Sequence, residues 1–442
     1  MSFQVPGLPW GAQKKLWRGI EGVFCAAEYV WGWVAPDPKI IQGPGAIAKI
    51  PAEVAKKGGK SVLVVTDANI HKLGLLDKLE AALKEVGLNY VIYDEVQPNP
   101  SIENVETGLK AYKENNCDCA IAVGGGSAMD CAKAILARVA RPRFQVKTLG
   151  KMVFMVVFTG LVPPIKLDSF LPPPLYAVPT TAGTGSETTI ASVITDTQTK
   201  DKFPITDPLI RARYAVLDPE LTVGLPTKVT STTGLDALTH AIEGYTNIWY
   251  NDKRFNDLGK EAIRLIFKYL ETACTDPGNL EAREQMLVAA YDAGMCFTRG
   301  GVGYVHGIGH RLGGLYHIPH GLAMSVILCH VFSDDFLGPY VQEELAELAE
   351  VIGITGGTAS ERAHKFMREV RKLEDKLDIP YGFAEIKDED IPIIAERCIY
   401  ETNPTYPVKH IFTQKEIEHF IATHIQLKDG NDKPQYLIDK DW

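Results

Sequence analysis

The chain has 442 residues, of which 45% are hydrophobic and 23% charged, and carries a formal net charge of −9. That length exceeds one ordinary domain, and that balance supports a sizeable globular core. The acidic surplus excludes a nucleic-acid binder built on a basic face, and the densest basic stretch (Arg138, Arg141, Arg143, Lys147) reads as a solvated loop.

Residues 1–36 form a Trp-rich extension holding Trp10, Trp17, Trp31 and Trp33. Leu16, Ile20, Val23, Ala27, Val30 and Val34 recur every three or four residues, which predicts an amphipathic helix docked on its own chain or on a partner. Lys14, Lys15, Arg18, Glu21 and Glu28 interrupt any apolar signal region, so no secretory signal is expected. Eight scattered cysteines with no C-x-x-C pair predict reduced, largely buried thiols in a cytoplasmic protein.

From 37 to 220 the pattern alternates. Ser61–Val65, Tyr90–Tyr93, Cys119–Val123, Leu175–Val178 and Tyr214–Leu217 read as strands, and 72–87, 101–116 and 127–139 as helices. The alternation predicts an α/β domain with a parallel sheet. The apolar run Met152–Ile165 is interrupted by Thr159, Gly160, Pro163 and Pro164, and reads as a loop or buried segment rather than a membrane span.

Three features of this half point to a dinucleotide. The run Ala120–Val123 leads into Gly124-Gly125-Gly126-Ser127 and then into a helix. Glycines let a phosphate approach the backbone, and the helix N-terminus offers free N–H groups and positive potential, with Ser127 available to cap the helix or bond phosphate. This is not the G-x-G-x-x-G fingerprint, and alone it equally describes a tight strand-to-helix turn. The hydroxyl- and glycine-rich run Pro179–Glu187 follows the next strand and falls on the same sheet edge. Asp67 ends the first strand, where a carboxylate accepts ribose hydroxyls and repels a 2′-phosphate, favouring NAD over NADP; capping the next helix is its simpler role.

From 221 to 442 strand signals vanish. Helical patterns run over 228–249, 253–274, 279–298, 321–332, 340–353, 357–378, 388–399 and 413–425. Asp236 and His240 lie four apart, as do His306 and His310, and Pro319-His320-Gly321 adds a histidine at a helix start. A lone helical histidine is usually a satisfied core residue, but this concentration of nitrogen and carboxylate ligands suits Fe(II), Zn(II) or Co(II) better than Mg(II) or Ca(II). The crevice between an α/β and an all-helical half is a favoured place for a ligand.

The blocks Gly124–Lys133, Pro179–Glu187, Gly234–Gly244 and His306–Gly321, in this order, resemble the iron-containing (group III) alcohol dehydrogenases over about residues 38–425. The resemblance implies an NAD-linked alcohol dehydrogenase or aldehyde reductase, acting on small primary alcohols and usually homodimeric. It implies Asp236, His240, His306 and His320 as ligands of one divalent metal, with Fe(II) first and Zn(II) second. It sets His310 beside the nicotinamide and substrate without binding metal. It assigns Gly125, Gly126, Ser127 and Asp130 to the pyrophosphate, Asp67 to the ribose, and Thr180, Thr181, Thr184, Asn99, Lys202 and Leu221 to the cofactor. Phe297 and Val302 fall at the substrate pocket. Residues 1–36 have no counterpart, Asn403-Pro404-Thr405 replaces a usual Asn-Pro-Arg, and Arg311 stands where a smaller residue is typical. The alternatives are a polyol or sugar-phosphate enzyme on the same fold, for which Arg299 and Arg311 would bind phosphate, and a non-catalytic assembly protein.

Overall fold

Five-residue runs such as Ser61–Val65, buried at every position, cannot be surface strands; they need cover on both faces. A computed structural model describes residues 8–32, 36–149, 171–199, 201–248, 252–428 and 433–434, and the run Met152–Ile165 lies outside them. Six parallel strands form one sheet: β1 (Lys39–Gln42), β2 (Ser61–Val65), β3 (Asn89–Tyr93), β4 (Cys119–Gly124), β5 (Leu175–Pro179) and β8 (Tyr214–Leu217), in the order β1-β8-β5-β4-β2-β3. Leu63, Val65, Ala120 and Ala122 face one buried cluster, while Val62, Val64, Ile121 and Val123 face another. An antiparallel hairpin, β6 (Ala191–Asp196) with β7 (Asp201–Thr206), stands apart from this sheet.

The helices in chain order are α1 (Trp10–Gly32), α2 (Ile50–Lys56), α3 (Ala68–Lys72), α4 (Asp77–Val86), α5 (Ile102–Glu114), α6 (Gly126–Ala140), α7 (Thr227–Thr246), α8 (Lys253–Thr275), α9 (Leu280–Gly300), α10 (Tyr304–Tyr316), α11 (His320–Val331), α12 (Gln342–Val351), α13 (Ala359–Lys376), α14 (Ile391–Thr402) and α15 (Gln414–Phe420). Capping boxes start three of them, with Ser101/Asn104, Thr358/Glu361 and Thr413/Glu416 satisfying the first free N–H groups reciprocally. By contacts the chain divides into residues 27–225 with 278–294, and residues 1–26 with 226–277 and 295–442. Among the described residues, no helix is long and apolar enough to cross a membrane.

Four local expectations change. The helix expected over 72–87 is two helices, because Gly74 turns the chain at φ 71°. The β6–β7 hairpin was not foreseen: Ser192 and Asp196 are buried where an alternating strand would show apolar residues. Helix α10 escaped the helical reading because Gly307, Gly309, Gly313 and Gly314 lower its propensity. One of those glycines is a spatial requirement, since a Cβ on Gly307 would lie 2.6 Å from Thr402 Cγ2 and 3.1 Å from Cys398 Sγ. Lastly, α1 exists; Gln13, Trp17 and Glu21 are buried and Leu16 is 39% exposed, while the side chains of Val23, Ala27, Val30 and Val34 lie outside the described residues.

Helices α7 and α9 also touch through glycine. A Cβ on Gly300 would fall 2.0 Å from the Gly244 carbonyl oxygen, which is backbone and cannot swing aside. Gly300→Ala should therefore cost about 1–3 kcal/mol and lower the melting temperature by several degrees. An unchanged melting curve would show that this contact is looser than drawn.

Candidate metal centre and cofactor loops

In the helical unit, Asp236 and His240 project from one face of α7, His306 from α10, and His320 from the first turn of α11, which Pro319 opens. Their four ligand atoms all lie within 4.8 Å of one another. His306 Nε2 is 3.1 Å from His240 Nε2, and Asp236 Oδ1 is 3.5 Å from His320 Nε2 and 3.9 Å from His240 Nε2. Ligands ~2.1 Å from one ion in a tetrahedron stand ~3.4 Å apart, so the spacing suits a single cation. Asp236 Oδ1 is buried and accepts no hydrogen bond, a costly state that a cation offsets. Three imidazoles and one carboxylate thus fit a borderline transition metal.

The electrostatics agree with that fit. Burial raises the Asp236 carboxyl above its usual range and drives His306 well below the usual histidine value, the neighbouring His320 and His310 adding to the latter. A divalent charge among them would reverse the shift of Asp236 and deepen that of His306, leaving an ionised carboxylate and a neutral imidazole, the forms that ligate. Glu243, missed in the sequence, organises His306: its Oε2 accepts from His306 Nδ1 at 2.5 Å and its Oε1 from the Val305 N–H at 2.7 Å. That bond leaves the Nε2 lone pair of His306 turned to the cluster. Gly303 makes room, since a Cβ there would lie 2.9 Å from Glu243 Oε1. The signal for Glu243 was its position three residues after His240, on the same helix face.

Around the four ligands, Phe297 stacks on His240 with ring centroids 4.1 Å apart. Val302 lies in the glycine turn held by Asn247, whose amide donates to the carbonyls of Gly300 and Val302 at 2.8 and 3.1 Å. His310 stays outside the four-atom group, its ring 5.3 Å from that of His320 and 5.6 Å from that of His306. Its Nδ1 meets Glu401 Oε1 at 2.5 Å. Glu401 also accepts from Arg311, and from the Tyr406 hydroxyl at 2.7 Å. Burial alone would raise the Glu401 carboxyl, but His310, Arg311 and Tyr406 hold it down at about 2. No sequence signal pointed to Glu401, which lies 91 residues from His310.

In the α/β unit the two loops begin level with one another, Gly124 pairing with Pro179 across β4 and β5. Gly124 adopts φ 154°, and Gly125, not Ser127, is the N-cap of α6, with no side chain bonded to the helix end. Thr181 and Thr184 line this opening: Thr181 Oγ1 is buried without a partner 3.7 Å from where a Gly125 Cβ would stand, and Thr184 is 3.3 Å from one on Gly126. A bare helix N-terminus under glycines, with an unpartnered hydroxyl beside it, fits a phosphate. Asp67 caps α3, its Oδ1 accepting from the Asn69 and Ile70 N–H groups, while its Oδ2 lies beside the Gly124 position. Both roles weighed from the sequence are compatible here.

The remaining expected cofactor residues differ in setting. Asn99, at φ 61°, accepts from Lys202 Nζ at 2.7 Å, so those two stand together. Thr180 is buried, its N–H donating to the Gly124 carbonyl. Leu221 belongs to the core cluster under the sheet. Asp130 is fully engaged within the chain, its Oδ1 accepting from Ser186 Oγ and its Oδ2 from the Val193 N–H, each at 2.9 Å. With Lys133 Nζ donating to Ser186, Thr189 and the Ala191 carbonyl, it ties the second loop to α6.

Such a fold and such a pair of sites define a class. The first 37–219 residues of the core match the family model for iron-containing alcohol dehydrogenases, and 230–425 match the C-terminal model of the Fe-containing alcohol dehydrogenase family. The chain belongs to the iron-containing alcohol dehydrogenase family. It is 34% identical to the NAD-dependent methanol dehydrogenase of Bacillus methanolicus, over 87% of this chain and 97% of that one. It is 36% identical to the 1,3-propanediol dehydrogenase of Klebsiella pneumoniae, over 82% and 90%. The solved alcohol dehydrogenase of Oenococcus oeni superposes with a TM-score of 0.79 at 31% identity, over 88% and 98%.

Two predictions follow from these contacts. Glu243→Gln should weaken metal retention ~10–100-fold, read by metal content after dialysis against a graded chelator; retention equal to the parent would deny Glu243 its orienting role. In the α/β unit, both Glu187 oxygens are buried without a hydrogen bond, and burial pushes its carboxyl up to about 7, Lys133 offsetting part of the shift. The folded state then holds this proton where the unfolded chain has released it, so stability falls as pH rises from ~4.3 to about 7. Glu187→Gln should remove a loss on the order of 3–4 kcal/mol across that window in denaturant titrations; an unaltered slope would contradict this.

Proposed function

We propose that this chain is an NAD-linked, metal-dependent dehydrogenase that interconverts small primary alcohols and their aldehydes. The observation that carries the reading is the four-ligand group in which Asp236 keeps a buried oxygen without a hydrogen bond. Asp236, His240, His306 and His320 would hold one divalent metal. Ligand softness permits Fe(II) or Zn(II), and the family favours Fe(II). When bound, the metal would supply Lewis-acid polarisation of a substrate oxygen and the dinucleotide a hydride acceptor.

The chain's own residues do the rest. Glu243 fixes the tautomer of His306. Phe297, stacked on His240, supplies an apolar wall that excludes water and suits a short aliphatic chain. His310, pinned at Nδ1 by Glu401, offers Nε2 to take the hydroxyl proton and pass it to solvent; its side chain is 33% exposed. Gly125, Gly126, Thr181 and Thr184 would receive the pyrophosphate, and Asp67 Oδ2 the adenosine ribose, which favours NAD over NADP. Two observations weigh against a phosphate-bearing substrate. Arg311 is paired with Glu401, and Arg299 lies 5.2 Å from the Phe255 ring.

Following NADH absorbance with a series of short alcohols tests this directly. His240→Ala and His320→Ala should each lose metal and lower turnover ~1,000-fold or more. Full NADH formation by metal-free parent protein would refute the reading. Asp67→Gly should narrow the preference for NAD; equal use of NAD and NADP by the parent would remove Asp67 from that role.

A further inference from the structure

The family match begins at residue 37, yet residues before it are built into the helical unit. On α1, Gln13, Trp17 and Glu21 are spaced by four and are all within 2% of full burial. Trp10 packs edge-on against Trp17 with ring centroids 5.5 Å apart. Arg18 extends from the same stretch: Nη1 donates to Glu21 Oε2 at 2.8 Å and Nη2 to the Lys409 carbonyl at 3.0 Å. The guanidinium therefore joins α1 to the strap that follows α14.

That strap, residues 403–413, is neither helix nor strand, so its backbone groups need individual partners. The Tyr406 N–H donates to the Thr402 carbonyl at 2.7 Å and the Val408 N–H to the Tyr406 carbonyl at 2.9 Å. Tyr304 bridges two further points, its hydroxyl donating to the His410 carbonyl at 3.0 Å and accepting from the Phe412 N–H at 3.1 Å. Arg18 serves the carbonyl between these fixed points. Three residues upstream of Lys409, the Tyr406 hydroxyl donates to Glu401, the carboxylate that holds His310.

We propose that Arg18 is a positioning residue: α1 braces the strap, and the strap, through Tyr406 and Glu401, fixes the ring of His310. The proposal rests on the reading of His310 as the proton-handling group. It gives the extension a role inside its own subunit. Arg18 is 28% exposed at its side chain, and Arg18→Met removes its hydrogen bonds while keeping an unbranched apolar stem of similar length.

The test compares parent, Arg18→Met, Tyr406→Phe and the double variant as full-length, metal-loaded protein. Amide hydrogen exchange should quicken about 10-fold or more in peptides covering 402–412 of Arg18→Met, with α13 unchanged. Its kcat should fall about 3–10-fold with KM for NAD unaltered, and the double variant should be no slower than Tyr406→Phe alone. Unchanged exchange in the strap overturns the brace, as does loosening that extends equally through α13. Losses of kcat that multiply in the double variant overturn the path to His310. If the parent forms no NADH from any alcohol, the functional reading falls, while the exchange measurement still decides the brace.

Discussion

Everything at the candidate metal centre depends on three helices approaching closely enough for four ligand atoms to share one small volume. Side chains of ordinary size would hold α7, α10 and α11 apart, and glycine removes them at the points of contact. A Cβ on Gly321 would lie 2.7 Å from the Thr232 carbonyl oxygen, bringing His320 against α7. Gly303 lets Glu243 reach beneath His306. The cost is low helix propensity, ~1 kcal/mol for each interior glycine relative to alanine. Tertiary packing and ligation offset it.

Within that volume, burial works against charge. It raises the Asp236 carboxyl and lowers His306, and a divalent ion would draw Asp236 back to the carboxylate while keeping His306 neutral. The contrast with Glu401 is instructive. It is partly enclosed, 18% exposed at its side chain, yet His310, Arg311 and Tyr406 surround it with positive charge and donors that hold its carboxyl down. One carboxylate thus awaits a cation, and the other already has its partners and serves to orient an imidazole.

Much of this was legible because the chemistry sits in short blocks. The i, i+4 pairs 236/240 and 306/310 and the histidine at a helix start are local patterns, as are the glycine loop after β4 and the hydroxyl-rich loop after β5. What escaped reading is set by distant partners. Glu401 meets His310 across 91 residues, and nothing in its own neighbourhood marks it. Asp130 reads as a ligand residue beside the glycine loop, whereas its oxygens face Ser186 and Val193. On α1, Gln13 and Glu21 are buried polar residues, which a search for apolar periodicity passes over. Helix α10 was missed for the same reason that the centre exists, its glycines.

The central claim is that one ion is bound by one carboxylate and three imidazoles. X-ray absorption on anaerobically prepared, metal-loaded protein tests it most directly. The account predicts one ion per chain, nitrogen and oxygen neighbours at about 2.0–2.2 Å, and outer-shell scattering from three imidazole rings, with the ion no longer retained by His320→Ala. A spectrum without imidazole scattering, or one that His320→Ala leaves unaltered, would contradict it.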